Sequence, residues 1–166
     1  MSQDNPYAPP QADIQVESTD EVQLAGRWAR FGGATVDGLI GMAAVFGALY
    51  ASGQWDEFMS DAQTLTETMY ITAGYLLFFL LIQGYPLATR GQTLGKILLG
   101  TRIVAVADGR ILPLWKVFGL RYVSVSLISL VPIVGQIFNI VNGLLIFRAD
   151  RRCGHDLIAG TRVVVA

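Results

Sequence analysis

Apolar residues are concentrated in three long stretches separated by polar connections. The first two each have the length of about 20 residues that a membrane-crossing helix needs. A straight helix over the third would be about 46 Å long, too long for a hydrocarbon core of about 30 Å. Pro132 lies in the middle of this third stretch, so we predict a helical hairpin there, with a single tilted span as the alternative. The predicted spans are 30–51, 68–87, 117–131 and 133–147.

Charged residues divide these connections into two kinds. Residues 52–67 carry four acids and no lysine or arginine, whereas residues 88–116 carry five basic residues against one acid. Four more arginines follow the last apolar stretch. Because basic connections stay on the cytoplasmic side, we expect the amino terminus and both basic segments in the cytoplasm and the acidic connection outside.

The composition agrees with an integral membrane protein. Hydrophobic residues make up 52% of the chain and charged residues 15%, less than the share of about 25% in soluble domains. Residues 1–23 are polar, contain prolines and lack basic residues, which predicts a disordered cytoplasmic tail before a membrane domain at 24–166. The net charge of −1 argues against a nucleic-acid partner. A single cysteine and a single histidine exclude an intramolecular disulfide and a zinc site built from Cys and His.

Two ionisable residues mark the first span. Arg30 stands at its entrance and Asp37 lies about a third of the way along it. A charge at such depth costs a few kcal/mol unless it faces a partner or water. Seven residues are nearly two helical turns, so both side chains share one face. We therefore predict that Asp37 points into a bundle or a wet cavity, as a functional group or as a pairing partner of Arg30 or Arg121.

The chain also repeats itself. Residues 93–104 align with 153–164 at a constant offset, with Gly-Thr-Arg identical in both copies. Each copy ends in β-branched residues, and Asp108-Gly109 is a hairpin signal. These features predict cytoplasmic strands at 101–106, 110–114 and 161–165. The predicted fold is an all-α integral membrane protein, a four-segment helical bundle of two full spans and a shorter hairpin, with a small cytoplasmic β-sheet.

Three separated motifs resemble the RDD family of bacterial membrane proteins. They are the Arg30 and Asp37 pair, the sequence Gly-Gln-Thr-Leu-Gly-Lys at 91–96, and the stretch from His155 to Val163. The family is named after one arginine and two aspartates, and the resemblance assigns the second aspartate to Asp156, with Asp108 as the alternative. It implies a multi-pass protein of the bacterial inner membrane. Some members have been linked to sodium–proton exchange.

Two functions follow as expectations. One is a monovalent cation or proton transporter that uses Asp37 and acts as a homo-oligomer in the lipid bilayer. The other is a scaffold or assembly partner in which buried charges pair helices. No nucleophile is identifiable beside the His155-Asp156 pair, so we expect neither enzyme activity nor a cofactor or metal. Lys96 and Asp156 align in the repeat, which suggests a salt bridge between them. The candidate supporting residues are Arg121, Lys96, His155, Gln136 and Asn139.

Overall fold

The computed structural model describes residues 23–60 and 63–166. The tail predicted over residues 1–23 lies outside the described residues, apart from Gln23. Two long helices, α1 (Arg27–Ala51) and α3 (Leu65–Arg90), contain the first two predicted spans and extend beyond them. The short helix α2 (Trp55–Ser60) lies between them.

Helix α3 has well-defined ends. Thr64 and Glu67 form a capping box at its start, in which the Thr64 hydroxyl oxygen accepts from the amide of Glu67 and the Glu67 carboxylate accepts from the amide of Thr64. Gly91 ends the helix in the left-handed conformation with φ +66°. A β-carbon on Gly91 would also lie 2.5 Å from the carbonyl oxygen of Ile103, so glycine is required there.

The outer surfaces of α1 and α3 are apolar and exposed. Both helices are long and apolar enough to cross a membrane, and only 11% and 6% of their most apolar windows are buried within the chain. A core helix of a soluble domain would be mostly buried instead. The two helices therefore present the kind of surface that lipid covers.

The third apolar stretch forms a helical hairpin. Its first arm consists of α5 (Leu114–Val117), a π-helical segment (Phe118–Val123) and α6 (Ser124–Ser129). Its second arm is α7 (Val134–Leu144), followed by a 3-10 turn. The helix is interrupted between Ser129 and Val134, next to Pro132, and α6 packs against α7. At 1.5 Å per residue each arm is about 21–24 Å long, shorter than a hydrocarbon core of about 30 Å.

The repeated sequence forms the same local structure twice. In the first copy α4 (Leu94–Leu98) leads into β1 (Thr101–Ala105), and in the second α8 (Gly154–Ala159) leads into β2 (Thr161–Val165). The two strands pair antiparallel with Ile103 opposite Val163, which are equivalent positions of the repeat. The two copies are therefore related by a local two-fold axis at the centre of the sheet.

The strand predicted at 110–114 is not formed, and this part of the prediction is wrong. The turn after β1 does close, because the amide of Ala105 donates to the carbonyl of Arg110 at 2.8 Å. The amide of Ile103 instead donates to the Gly91 carbonyl at 2.7 Å, so the chain that follows α3 occupies this edge of β1. Residues 111–113 are irregular, and α5 begins at Leu114.

A small core joins the sheet to the long helices. Phe79 and Leu87 of α3 are buried together with Val117 and with the central sheet residues Ile103 and Val163. The ring of Phe79 lies 4.3 Å from that of Tyr122 in the π-helical segment, measured between centroids. This core fixes the first hairpin arm against α3 and places Arg121 beside the second repeat.

Candidate functional site

Helix α1 contacts both copies of the repeat. Arg30 and Asp37 are separated by seven residues, about 10 Å along the helix axis, so they reach different partners. Between them α1 approaches α4 very closely. A β-carbon on Gly95 would lie 2.1 Å from the carbonyl oxygen of Gly33 and 2.9 Å from Oδ1 of Asp37. The small residues of α1 therefore allow the backbone contact that brings the two charges to their partners.

The first of these arrangements, the Asp156 centre, is completely buried. The side chain of Asp156 has no exposed surface, and those of Arg30 and Arg121 are each 5% exposed. Arg30 donates to Oδ2 of the carboxylate and Arg121 donates to Oδ1. The hydroxyl of Thr161 adds a bond to Oδ1 at 3.0 Å, and the amide of Cys153 adds one to Oδ2 at 3.2 Å.

Local structure explains this geometry. Asp156 is the third residue of α8, so its carboxylate turns back to the amide that precedes the helix, as in a capping box. Thr161 follows the left-handed Gly160 and opens β2. Arg121 lies in the π-helical segment, a geometry that is frequent at functional sites. One carboxylate thus ties together α1, the hairpin and the second repeat.

The carboxylate of Asp156 is held ionised. Burial alone would raise its pKa, but the neighbouring Arg121 and Arg30 outweigh burial and hold the pKa well below its usual range. Arg30 is further fixed by donating from Nη1 to the carbonyl of Arg151. This centre does not exchange a proton near neutral pH.

The second arrangement, the Asp37 centre, is more accessible. Asp37 and Lys96 have side chains that are 14% and 11% exposed, and Nζ of Lys96 lies 3.7 Å from Oδ2 of Asp37. The hydroxyl of Thr93 donates to Oδ2, and the amide of Gly95 donates to Oδ1 at 2.8 Å. The pKa of Lys96 falls to about 8, first because of burial and second because of the positive charge of Arg121.

His155 borders the Asp156 centre without closing a catalytic pair. Its Nδ1 lies 2.8 Å from Oδ1 of Asn142, whereas its Nε2 is 3.9 Å from Oδ2 of Asp156. Burial, and then the charge of Arg121, lowers the pKa of His155 to about 3, so the ring is neutral at physiological pH. Ligand-type atoms of Cys153, His155 and Asp156 lie within 4.8 Å of one another. A metal ion there would face two guanidinium groups, which weighs against metal binding.

A cavity of about 660 Å³ lies beside the two centres and extends along the helices toward the start of α3. The end beside the repeats, which we call the inner end, is lined by Arg30, Lys96, Arg121, Asp37 and His155. The opposite end is lined by side chains near the start of α3 and by apolar residues of α1 and the hairpin. The polar residues along the rest of the wall are Thr68, Thr72, Tyr75, Tyr122, Ser126, Ser129 and Asn142.

The structure assembles most of the predicted site residues, with different partners from those expected. Lys96 pairs with Asp37, so the salt bridge predicted between Lys96 and Asp156 is wrong. Asp37 also pairs with neither Arg30 nor Arg121, because both arginines donate to Asp156. Each pairing joins α1 to a separate copy of the repeat.

Gln136 and Asn139, the predicted supporting residues of the hairpin, do not line the cavity. Both side chains are exposed, and Asn139 donates to the hydroxyl of Ser129 within the hairpin at 3.0 Å. Asn142, three residues further along α7, lies on the inward side and contacts His155. The packing of α7 against α6 and α8 decides which asparagine faces the site.

Three site residues were missed by sequence reasoning. Thr93 and Thr161 donate their hydroxyls to the two aspartates, and Asn142 accepts from the amide of His155 at 3.0 Å. Thr93 and Thr161 both belong to the repeated motif, so the repeat itself was the signal that could have identified them. Asn142 resembles its neighbours in the sequence, and the pattern does not distinguish it.

Comparisons with known proteins agree with the resemblance seen in the motifs. The model of the RDD family matches residues 24–160. The chain is 32% identical over 143 residues to the uncharacterized protein YckC of Bacillus subtilis strain 168, which covers 86% of this chain and 85% of that protein. No solved structure matches the chain.

Proposed function

This chain belongs to the RDD family, and we propose that it is a small transport protein of the bacterial inner membrane whose pathway is the central cavity. The observation that carries the proposal is the row of polar side chains along this cavity. The row runs from Thr68, in the first turn of α3, through Tyr75 to Asp37 and then to Lys96 at the inner end. A lipid-facing helix pair without such a pathway would bury apolar residues here instead.

The transported ion that the sequence suggests is a monovalent cation or a proton. Asp37 is the carboxylate that lines the cavity among the described residues, whereas Asp156 lies outside the lining and both its oxygens bind arginine. A cation at Asp37 would compete with Lys96, and a proton would release Lys96 from its partner. In this proposal Asp37 binds the transported ion, and Lys96 pairs with Asp37 again when the ion has left.

Reconstitution in vesicles tests the proposal. Purified protein in vesicles that contain a pH-sensitive dye should produce a proton flux when a sodium or potassium gradient is imposed. Asp37→Asn should abolish this flux, because asparagine keeps the shape of the side chain but carries no charge. Asp56→Asn is the matched control, since Asp56 lies in exposed α2 outside the cavity. An undiminished flux in Asp37→Asn would remove Asp37 from the pathway.

The orientation and assembly are part of the same proposal. We propose a cytoplasmic amino terminus with the connection around α2 outside, which places the arginine-rich segments on the cytoplasmic side. A cysteine introduced at Asp56 should then react with an impermeant reagent in intact cells, with Cys153→Ser as background.

The hairpin arms are shorter than a bilayer core, so a homo-oligomer would shield their ends. Native mass spectrometry from mild detergent measures that assembly.

A scaffold role is the second candidate, and the Asp156 centre favours it. One carboxylate holds α1, the hairpin and the second repeat together, and all of its partners belong to the chain itself. In that reading the protein is not a transporter and acts by presenting a fixed surface to a partner. Folded, inserted protein without any measurable flux would support the scaffold. Neither candidate involves catalysis, and we propose no enzymatic activity.

A further inference from the structure

The cavity has a cationic floor and an apolar wall. We define the cationic floor as Arg30, Lys96 and Arg121, which line the inner end of the cavity. Each of their side chains is at most 11% exposed. Above them the wall contains Val45, Ile71, Phe79, Val125, Leu130 and Ile146. A space that is charged at one end and has these apolar side chains beside the polar ones along its length also suits an amphiphile.

The charges at the floor do not cancel. Asp37 and Asp156 neutralise two of the three cations, and His155 is neutral because its pKa is lowered to about 3. One positive charge therefore remains in a buried place, where it requires a counter-charge. The lowered pKa of Lys96, caused by burial and then by Arg121, agrees with an excess of positive charge at this end.

The cations also retain donor capacity toward the cavity. Nη1 of Arg121 donates to Asp156 and to Thr161, and Arg121 also forms a side-chain hydrogen bond with Tyr122, so part of the five N–H donors of its guanidinium group is left over. The ammonium group of Lys96 lies 3.4 Å from the Thr93 hydroxyl and 3.7 Å from Asp37, both long contacts. Planar guanidinium groups match the geometry of phosphate oxygens, and an ammonium adds a point charge.

We propose that the cationic floor binds the phosphate group of an anionic amphiphile whose hydrocarbon chains lie along the apolar wall. A phosphodiester carries the single negative charge that the floor lacks. Inorganic phosphate could supply the same group, but it would leave the apolar wall unfilled. The amphiphile is a second ligand of the cavity that the proposed cation or proton transport uses, and its binding can be measured in the absence of flux.

The test compares lipids of one chain length in an uncharged detergent. Full-length protein is titrated with phosphatidylglycerol, with phosphatidylcholine or with inorganic phosphate, and bound ligand is counted by native mass spectrometry. We expect phosphatidylglycerol to bind at least tenfold more tightly than phosphatidylcholine. Equal affinity for both lipids would overturn the anionic site. Binding of inorganic phosphate without preference for phosphatidylglycerol would overturn the amphiphile and leave a free-phosphate site.

Variants of Lys96 locate the site. Lys96→Gln should weaken phosphatidylglycerol binding about tenfold, whereas Lys96→Arg should retain it. Lys116→Gln is the matched control, because Lys116 is exposed and does not line the cavity. An equal loss in both glutamine variants would show general surface attraction and refute the floor. If Lys96→Gln does not fold, the lipid preference of the wild-type protein and of Lys96→Arg still decides the question.

The pH dependence provides a second readout. The groups that face Lys96 are Asp37 and Arg30 of α1, Arg121 of the hairpin, and Asp156 and His155 of α8. Because the pKa of Lys96 is about 8, wild-type affinity for phosphatidylglycerol should fall severalfold between pH 7 and pH 9. Lys96→Arg should show no such decline, and a parallel decline in that variant would exclude Lys96 from binding. Intact binding without ion-driven flux would refute the transport function and leave this site standing.

Discussion

The two aspartate centres are built on equivalent parts of the repeat, but the equivalent residues, Lys96 and Asp156, carry opposite charges. In the second repeat the acid, Asp156, belongs to the repeat, and the cations come from α1 and the hairpin. In the first repeat the cation, Lys96, occupies the equivalent position, and the acid, Asp37, comes from α1. Helix α1 therefore carries one charge for each copy. Because the charges of the two copies are opposite, the Arg30 end of α1 pairs with the second copy and the Asp37 end pairs with the first.

The two centres also differ in how strongly they are enclosed. Asp156 is completely buried with two guanidinium partners, whereas Asp37 and Lys96 retain some exposure and a longer contact. The difference suggests a division of roles. The Asp156 carboxylate, which does not line the cavity, fixes the fold, and the Asp37 carboxylate, which lines it, is available for function.

The largest expected effect is the loss of the Asp156 charge. Asp156→Asn leaves Arg30 and Arg121 buried without a counter-charge, and breaking such a pair typically costs about 3–5 kcal/mol. We expect a large fall in the thermal unfolding temperature in detergent, or loss of folded protein. Asp56→Asn should unfold like the wild-type protein. A stable Asp156→Asn variant would show that the charge of Asp156 is not needed for folding.

The next effect concerns the contact between α1 and α4. Gly95→Ala places a β-carbon 2.1 Å from the carbonyl oxygen of Gly33, so the helices must separate. Overpacking of this kind costs about 1–3 kcal/mol. Gly47→Ala is the control, because nothing lies within 4 Å of its added carbon. Measured unfolding should show destabilisation at Gly95 alone, and equal stability of the two variants would contradict the close approach.

Removing the charge of Asp37 should destabilise less than removing that of Asp156. Asparagine still accepts from Gly95, but Lys96 loses its partner in a partly exposed place. We expect a cost of about 1–2 kcal/mol, discounted for solvent screening. The double variant Asp37→Asn/Lys96→Met should recover much of that cost in denaturant unfolding, since no unpaired charge remains. Purely additive effects would mean that the two side chains do not interact.

The smallest effect is a pH dependence that belongs to the second repeat. The pKa of His155, the chain's one histidine, is lowered to about 3 in the folded protein. Below its usual pKa of about 6.5 the unfolded chain takes up a proton that the folded protein does not, so stability falls as pH decreases. We expect a loss of about 1 kcal/mol between pH 7 and pH 5.5. This loss of stability should be absent in His155→Gln. If the variant loses as much stability as the wild-type protein, a group other than His155 causes the pH dependence.

Much of the fold could be predicted from the sequence, for identifiable reasons. Apolar length located α1 and α3, and Pro132 located the break in the hairpin. The repeat predicted two equivalent strands, since identical local sequences with a left-handed glycine between helix and strand form the same turn. Arg30 and Asp37 stood out because charges are costly in an apolar sequence, whereas Asp156 was assigned by the resemblance to the RDD family.

The pairing of these charges was decided by the tertiary structure. Arg30 and Asp37 share a face of α1, yet about 10 Å of helix separates them, so each needs a partner from another element. The partners depend on how α1 docks between the two repeats, which no local pattern records. Tertiary structure also decided that residues 110–114 form no strand, because Gly91 occupies the edge of β1 with which they were predicted to pair. Local sequence encodes turns and helices, whereas partners are selected by which surfaces the packed chain brings together.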